Sequence, residues 1–277
     1  MSADSNGSMS DTGVPMRQAA VPAVNLLWTG GWDSSFQLLQ LLLLHGREVV
    51  PHYLLDPTRS STRAELAAME RIRHRLFEQY PQTRTSLKPL QCFDMADLAP
   101  DARIADAYDR IRAQTFLGNQ YEWLARFRDQ RGIAQLELAA GYRDGRIHHI
   151  IEPFVLRSDA GGYGTWRLGE EHRNTNEFTV FGGFSFPLFE LKKAETAEIA
   201  GAQGWLEILK LTCFCHRSPD GKAPCGYCNP CLYAVDEGFG WRIPRRNRVK
   251  GTFYRALVRP MKAPVKAALR HLGMRAR

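Results

Sequence analysis

The chain has 277 residues, 44% hydrophobic and 24% charged, with a formal net charge of +8. That length and apolar content suit one substantial core with a small appendage, which excludes a fibrous or wholly disordered chain. The charge is concentrated: residues 242–277 hold twelve of the 37 Lys and Arg and no Asp or Glu, leaving 25 basic against 29 acidic residues elsewhere, so the body is not marked as a nucleic-acid reader.

In chain order, residues 1–23 are rich in Ser, Gly and Asp without apolar periodicity and read as a disordered N-terminal extension. They lack the charged n-region and apolar h-region of a secretory signal. The leucine run at 38–44 falls far short of the ~20 residues that span a bilayer, so the cytoplasm is the expected location. Val24, Leu26, Leu27 and Trp28 form a short strand, and the apolar stretch from Phe36 to Leu43 forms a buried helix. Glu48–Leu55 reads as a second strand, with Pro51 arguing against a central position. Ser61–Tyr80 carries Leu66, Met69, Ile72, Leu76 and Phe77 at helical spacing, and Thr62 with Glu65 has the spacing of a capping box. A third strand is expected over Ser86–Phe93, a helix over 119–132 with Trp123, Leu124 and Phe127 inward, and a strand over 133–142. The glycine-punctuated stretch Gly145–Phe181 has no clear period and is expected to be a substrate-covering loop region. Residues 182–205 offer a turn, a Pro-started segment and a helix ending at glycine. Strand, helix, strand, helix, strand predicts an α/β fold on a parallel sheet.

The turn between the first strand and helix, Thr29–Ser35 (TGGWDSS), concentrates chemistry. Gly30 and Gly31 permit positive φ and bare their N–H groups, which converge with the helix N-terminus on an anion. Thr29, Ser34 and Ser35 add hydroxyls. Asp33 is repulsive in such a cradle unless it caps the helix or holds a cation shared with the anion, such as Mg²⁺.

Five of the six cysteines lie between Cys213 and Cys231. Cys225, Cys228 and Cys231 are spaced C-x-x-C-x-x-C, so their thiolates can converge on one ion. Cys215, Cys213 and His216 are the candidates for the fourth position. Zinc suits four sulfurs, whereas the C-P continuation usual in ferredoxins is missing. Cys92, alone in an apolar strand, reads as a buried small hydrophobe. His148 and His149 are expected on a strand or loop, facing opposite ways at the surface.

The loop resembles the S-G-G-x-D-S signature of the PP-loop ATP pyrophosphatases, with Thr29 for the first Ser. Combined with the cysteine knuckle it resembles the 7-cyano-7-deazaguanine synthase family of queuosine biosynthesis, over residues ~24 to ~235. TFLGNQYEWLARFRDQRGIAQLELAAGY is similar to that family's turn, helix and strand ending in Gly, and FPLFELKKAE to its Pro-Leu, Lys-Ala-Glu segment. The resemblance implies a parallel-sheet, Rossmann-like PP-loop domain over 24–240 that includes a structural zinc knuckle at 213–231. It also implies that Leu27, Trp28, Thr29, Gly30, Gly31, Trp32, Asp33, Ser34, Ser35, Asn119 and Gly141 bind ATP, that Asp33 and Lys193 are catalytic with Mg²⁺ accompanying the ATP, and that Cys215 joins Cys225, Cys228 and Cys231 on Zn²⁺. The implied reaction adenylates a 7-deazapurine carboxylate, then uses ammonia to reach an amide and a nitrile. The family's D-Y-S-G-Y-P-D-C-R substrate segment has no counterpart after Gly141. The alternatives are a PP-loop tRNA-modifying enzyme of the thiolation type, with Cys92 or Cys213 carrying sulfur, and a non-catalytic nucleotide-binding module.

The basic tail, 241–277, sets Phe253, Leu257, Val265, Leu269 and Leu272 among Lys and Arg, and Pro260 and Pro264 are expected to break its helix. Contact with nucleic acid or an anionic membrane is the expectation there. The chain is also expected to form a homo-oligomer.

Overall fold

The computed structural model describes residues 22–141, 147–218 and 223–261. Most of the N-terminal extension and the end of the basic tail lie outside the described residues. Seven strands are described: β1 (Val24–Leu27), β2 (Val49–Leu55), β3 (Gln91–Asp94), β4 (Leu136–Glu137), β5 (Val155–Ser158), β6 (Thr165–Leu168) and β7 (Phe184–Ser185). Five form one sheet in the order β3-β2-β1-β4-β7, every neighbouring pair parallel, while β5 and β6 make an antiparallel hairpin. The fold is α/β, as expected. The chain lays β2 and β3 to one side of β1, then returns to place β4 and β7 on the other. The order reverses between β1 and β4, and such a reversal opens a crevice at the carboxyl ends of the strands.

The helices are α1 (Trp32–Leu39, continued by a π turn over Gln40–Leu44), α2 (Thr62–Gln79), α3 (Thr83–Ser86), α4 (Ala102–Gln114), α5 (Gln120–Gln130), α6 (Ile147–Ile151), α7 (Asn176–Phe181), α8 (Lys193–Ala202), α9 (Leu206–Leu209), α10 (Asn229–Asp236) and α11 (Arg245–Phe253). They cover both faces of the sheet. Phe36, Leu38, Met69, Ile72 and Ile208 share one apolar layer, and Ile104, Ile111, Leu124, Phe127 and Phe181 the other. None of the described helices is long and apolar enough to cross a membrane.

Several expectations are corrected. Pro51 does lie inside the sheet, paired with Leu26. The Glu48 and His52 carbonyls accept from β1 and the Val49 carbonyl accepts from Lys88, so by alternation the missing N–H of Pro51 faces the β3 side. There β3 begins only at Gln91, opposite His52. The third strand is shorter than expected, because Thr83–Ser86 folds as α3 and pairing is delayed. Since β3 is the sheet edge, Cys92 is exposed rather than buried. Thr62 and Glu65 do not form a capping box; the N-cap is Ser61, and Glu65 is drawn inward to accept from Tyr53 Oη and Ser61 Oγ, both at 2.7 Å. The described part of 145–181 holds α6, the β5–β6 hairpin and α7, elements too short to show a period.

Candidate active site

β1 ends at Leu27, and the chain turns through Thr29, Gly30 and Gly31 into α1 at the crevice. Gly30 has φ +68°, and a Cβ there would stand 2.8 Å from the Glu65 carbonyl oxygen, so both conformation and space demand glycine. Gly31 is the extended N-cap and offers no side-chain cap. The Ser35 N–H donates to Gly31 O at 3.1 Å, the first bond of the helix, so the positive end of α1 falls at Gly31 to Ser34. Ser34 Oγ lies 3.2 Å from both the N and the Oγ1 of Thr29, drawing the turn into a ring of donors. Trp28 and Ser35, expected beside them, are wholly buried: Trp28 Nε1 donates to Ser35 Oγ at 3.0 Å, and both side chains belong to the core. Asp33 is the second residue of α1 and not its cap.

A cavity opens on each side of this turn. The first, about 220 Å³, is lined by Thr29, Gly31, Asp33 and Ser34, by Tyr53 and Leu54 from the end of β2, by Arg59, by Gln120 and Trp123 of α5, and by Leu138 and Ala139 beyond β4. The second, about 230 Å³, is lined by Gly31, Trp32 and Asp33 together with Lys193, Cys213, Phe214, Tyr233, Glu237 and Arg242. Asn119 and Gly141 line neither. Asn119 is the N-cap of α5, one residue before Gln120, and a Cβ on Gly141 would stand 3.1 Å from Leu191 O.

Lys193 opens α8 and spans the second cavity, with Nζ 3.3 Å from Asp33 Oδ2 and 3.2 Å from Glu237 Oε2. Its neighbour Lys192 is exposed, and the Lys192 N–H donates to Glu195 at 2.7 Å. Arg242 reaches in from beyond α10, donating to Thr212 O at 2.7 Å and Thr212 Oγ1 at 2.6 Å. Its guanidinium lies 5.3 Å from the Trp32 ring and 4.7 Å from that of Phe214. Burial draws its pKa down to about 10, partly offset by Cys213 and Asp33, so it remains a cation at neutral pH. Tyr53 and Arg59 come from one stretch of the chain, Glu237 and Arg242 from another, and none of the four carries a motif. Arg242 had the nearest signal, following the cysteine segment closely.

The knuckle assembles from the loop before α10 and its first turn. The Sγ atoms of Cys215, Cys225, Cys228 and Cys231 lie within 4.8 Å of one another, with separations of 3.9 Å for 215–228 and 225–231 and 3.4 Å for 228–231. Backbone N–H groups of Arg217 and Cys225 donate to Cys215 Sγ at 3.4 and 3.2 Å. Those bonds, with the Cys228 and Cys231 thiols donating first among them, hold the Cys215 thiol well below the ordinary range. His216 is exposed outside the cluster. Cys213 is also outside it: buried beneath the anion turn, its N–H donates to Gly30 O at 2.8 Å, and burial pushes its thiol up to about 11.

His148 sits on the one-turn helix α6 rather than on a strand, so the expectation of two surface histidines fails for it. It is buried, stacked on Phe189 with ring centroids 4.2 Å apart, while His149 is exposed. Glu152 stands one helical turn away, with Oε2 3.9 Å from His148 Nδ1.

No protein-family model matches the chain, and no curated protein matches it. Among solved structures it is similar to the U34-tRNA thiolase NcsA from Methanococcus maripaludis with its [4Fe-4S] cluster, at 12% identity over 86% of this chain and 72% of that chain, with a TM-score of 0.40.

Proposed function

We propose that the protein is a PP-loop enzyme that cleaves ATP between the α- and β-phosphates and transfers AMP to an acceptor carboxylate. The observation that carries this reading is the ring of donors at Thr29–Ser34, placed at the sheet's reversal point with a cavity on either side and Lys193 fixed across one of them. The pyrophosphate lies on the N–H groups of Gly31 to Ser34, stabilised by the α1 dipole and the Thr29 and Ser34 hydroxyls. The nucleoside occupies the cavity bounded by Tyr53, Arg59 and Trp123. The acceptor approaches from the other, where Lys193 and Arg242 offer positive charge to its carboxylate and to the charge developing on the phosphorus. Asp33 takes the Mg²⁺ that accompanies ATP.

In that arrangement a carboxylate oxygen attacks the α-phosphorus and pyrophosphate leaves. Ammonia then displaces AMP, which departs with one former carboxylate oxygen. With 7-carboxy-7-deazaguanine or a related acid ¹⁸O-labelled at its carboxylate, one label is expected in the AMP phosphate. AMP free of label would overturn acyl adenylation.

The four thiolates fit a single tetrahedral ion: Zn–S bonds of about 2.3 Å set sulfurs roughly 3.8 Å apart, close to the separations present. A [4Fe–4S] cluster ties each of four thiolates to a different iron and holds them farther apart. Zinc held by four cysteines has no open position, and its role is structural.

A second reading, thiolation of an RNA nucleoside, is favoured by one observation, that Cys213 lines the second cavity beside Asp33 and Lys193. Its raised pKa makes it a poor nucleophile, which ranks this reading second. Cys213→Ser would abolish thiolation and leave AMP release from a carboxylate acceptor intact.

A further inference from the structure

α11 leaves the knuckle at Arg245 and runs on through a π turn, Tyr254–Val258, to Met261. The wide turn precedes Pro260, so the chain stays helical where the sequence suggested a break. One side of this helix is occupied. Gly251 packs so closely on Gly226 that a Cβ would fall 2.1 Å from its carbonyl oxygen, Asn247 donates to Pro224 O at 2.7 Å, and Arg255 donates to Asp236 at 2.8 and 3.1 Å.

The outward side is different. Val249, Phe253, Leu257 and Met261 recur at every fourth residue and are 52%, 63%, 59% and 62% exposed, forming one stripe. Arg245, Arg246, Arg248 and Lys250 are exposed next to it. No acidic residue occurs anywhere in 242–277. Four large apolar side chains in water call for an apolar phase, and the flanking cations call for that phase to be bordered by anions. We propose that this helix docks on an anionic lipid bilayer, with the stripe at the acyl boundary and the arginines and lysine among the headgroup phosphates.

The other polyanion, a nucleic acid, would satisfy the cations and leave Val249, Leu257 and Met261 in water. A second copy would meet the stripe with the same positive charge. Five more Lys and Arg in 262–277 add to the attraction. The proposal is independent of the ATP reading, because the stripe touches neither cavity beside the anion turn.

The test is co-sedimentation of the full chain with vesicles of phosphatidylcholine alone or with about 30% phosphatidylglycerol, at low and physiological salt. Binding is expected to the anionic vesicles only, to weaken with salt, and to fall about tenfold or more in the double variant Phe253→Ser, Leu257→Ser, whose melting temperature is unchanged. Absence of binding to anionic vesicles, or binding that the double variant retains, would overturn the proposal. So would vesicle-free dimers that dissociate in the double variant, or RNA binding lost in Arg246→Gln, Lys250→Gln without any vesicle binding.

Discussion

Lys193 and Gly30 carry the anion turn in different ways, one by charge and one by the lack of a side chain. Lys193 holds Asp33 and Glu237 together across the second cavity. Because preorganised charge at a reacting phosphoryl group is worth several kcal/mol, Lys193→Met is expected to lower AMP formation roughly 10²- to 10³-fold while thermal melting moves little. Steady-state assay beside calorimetry checks both halves. Gly30→Ala forces a side chain into the left-handed region and against the Glu65 carbonyl. The strain alone is about 1–2 kcal/mol, and urea unfolding should show at least that loss. Glu137 has a different consequence. It is 3% exposed, hydrogen-bonded by Tyr163 Oη and by Gln37 Nε2 at 2.8 Å. Burial raises its pKa from 4.5 to about 7 against the smaller opposing effects of those bonds and Arg47. The folded chain therefore binds this proton more tightly than the unfolded one. Its contribution to stability is fully present below the unfolded pKa and is lost as pH rises through the folded one, about 3 kcal/mol in all. Denaturant midpoints measured from pH 4 to 8 should fall across that window in the wild type and flatten in Glu137→Gln.

Among the elements, the knuckle and the anion turn are mechanically joined. Cys213 bonds to Gly30, Arg242 bonds to Thr212 and lies over Trp32, and Cys228 is the N-cap of the helix that carries Cys231. Disrupting the proposed metal site is therefore expected to loosen the turn as well as the cysteine segment. Hydrogen exchange should rise in residues 28–35 on chelation or in Cys228→Ser, and an unchanged rate there would separate the two units. The same elements show why some of the molecule was legible in sequence. The turn and the cysteines are local, each written in fewer than twenty consecutive residues, and the long helices α2 and α5 announce themselves by periodicity. By contrast β4 and β7 have two residues each and α6 has five, too few for any period to register. The walls of the cavities were hidden for another reason. Tyr53 and Arg59 on one side of the turn, and Glu237 and Arg242 on the other, are brought to it by the tertiary fold, and no motif of their own marks them.

For the whole molecule, the reversal of strand order at β1 sets where chemistry can occur. The sheet presents the ends of β1, β2 and β4 to one crevice, and no α11 residue lines the cavities there, so the proposed chemistry and the proposed surface attachment can be altered separately. The bond at which ATP is cut separates acyl adenylation from other nucleotide chemistry. Incubating the protein with α-labelled ATP, Mg²⁺, ammonia and 7-carboxy-7-deazaguanine and resolving the nucleotides measures that directly. Labelled AMP is the expected result, reduced in Lys193→Met; labelled ADP would contradict it.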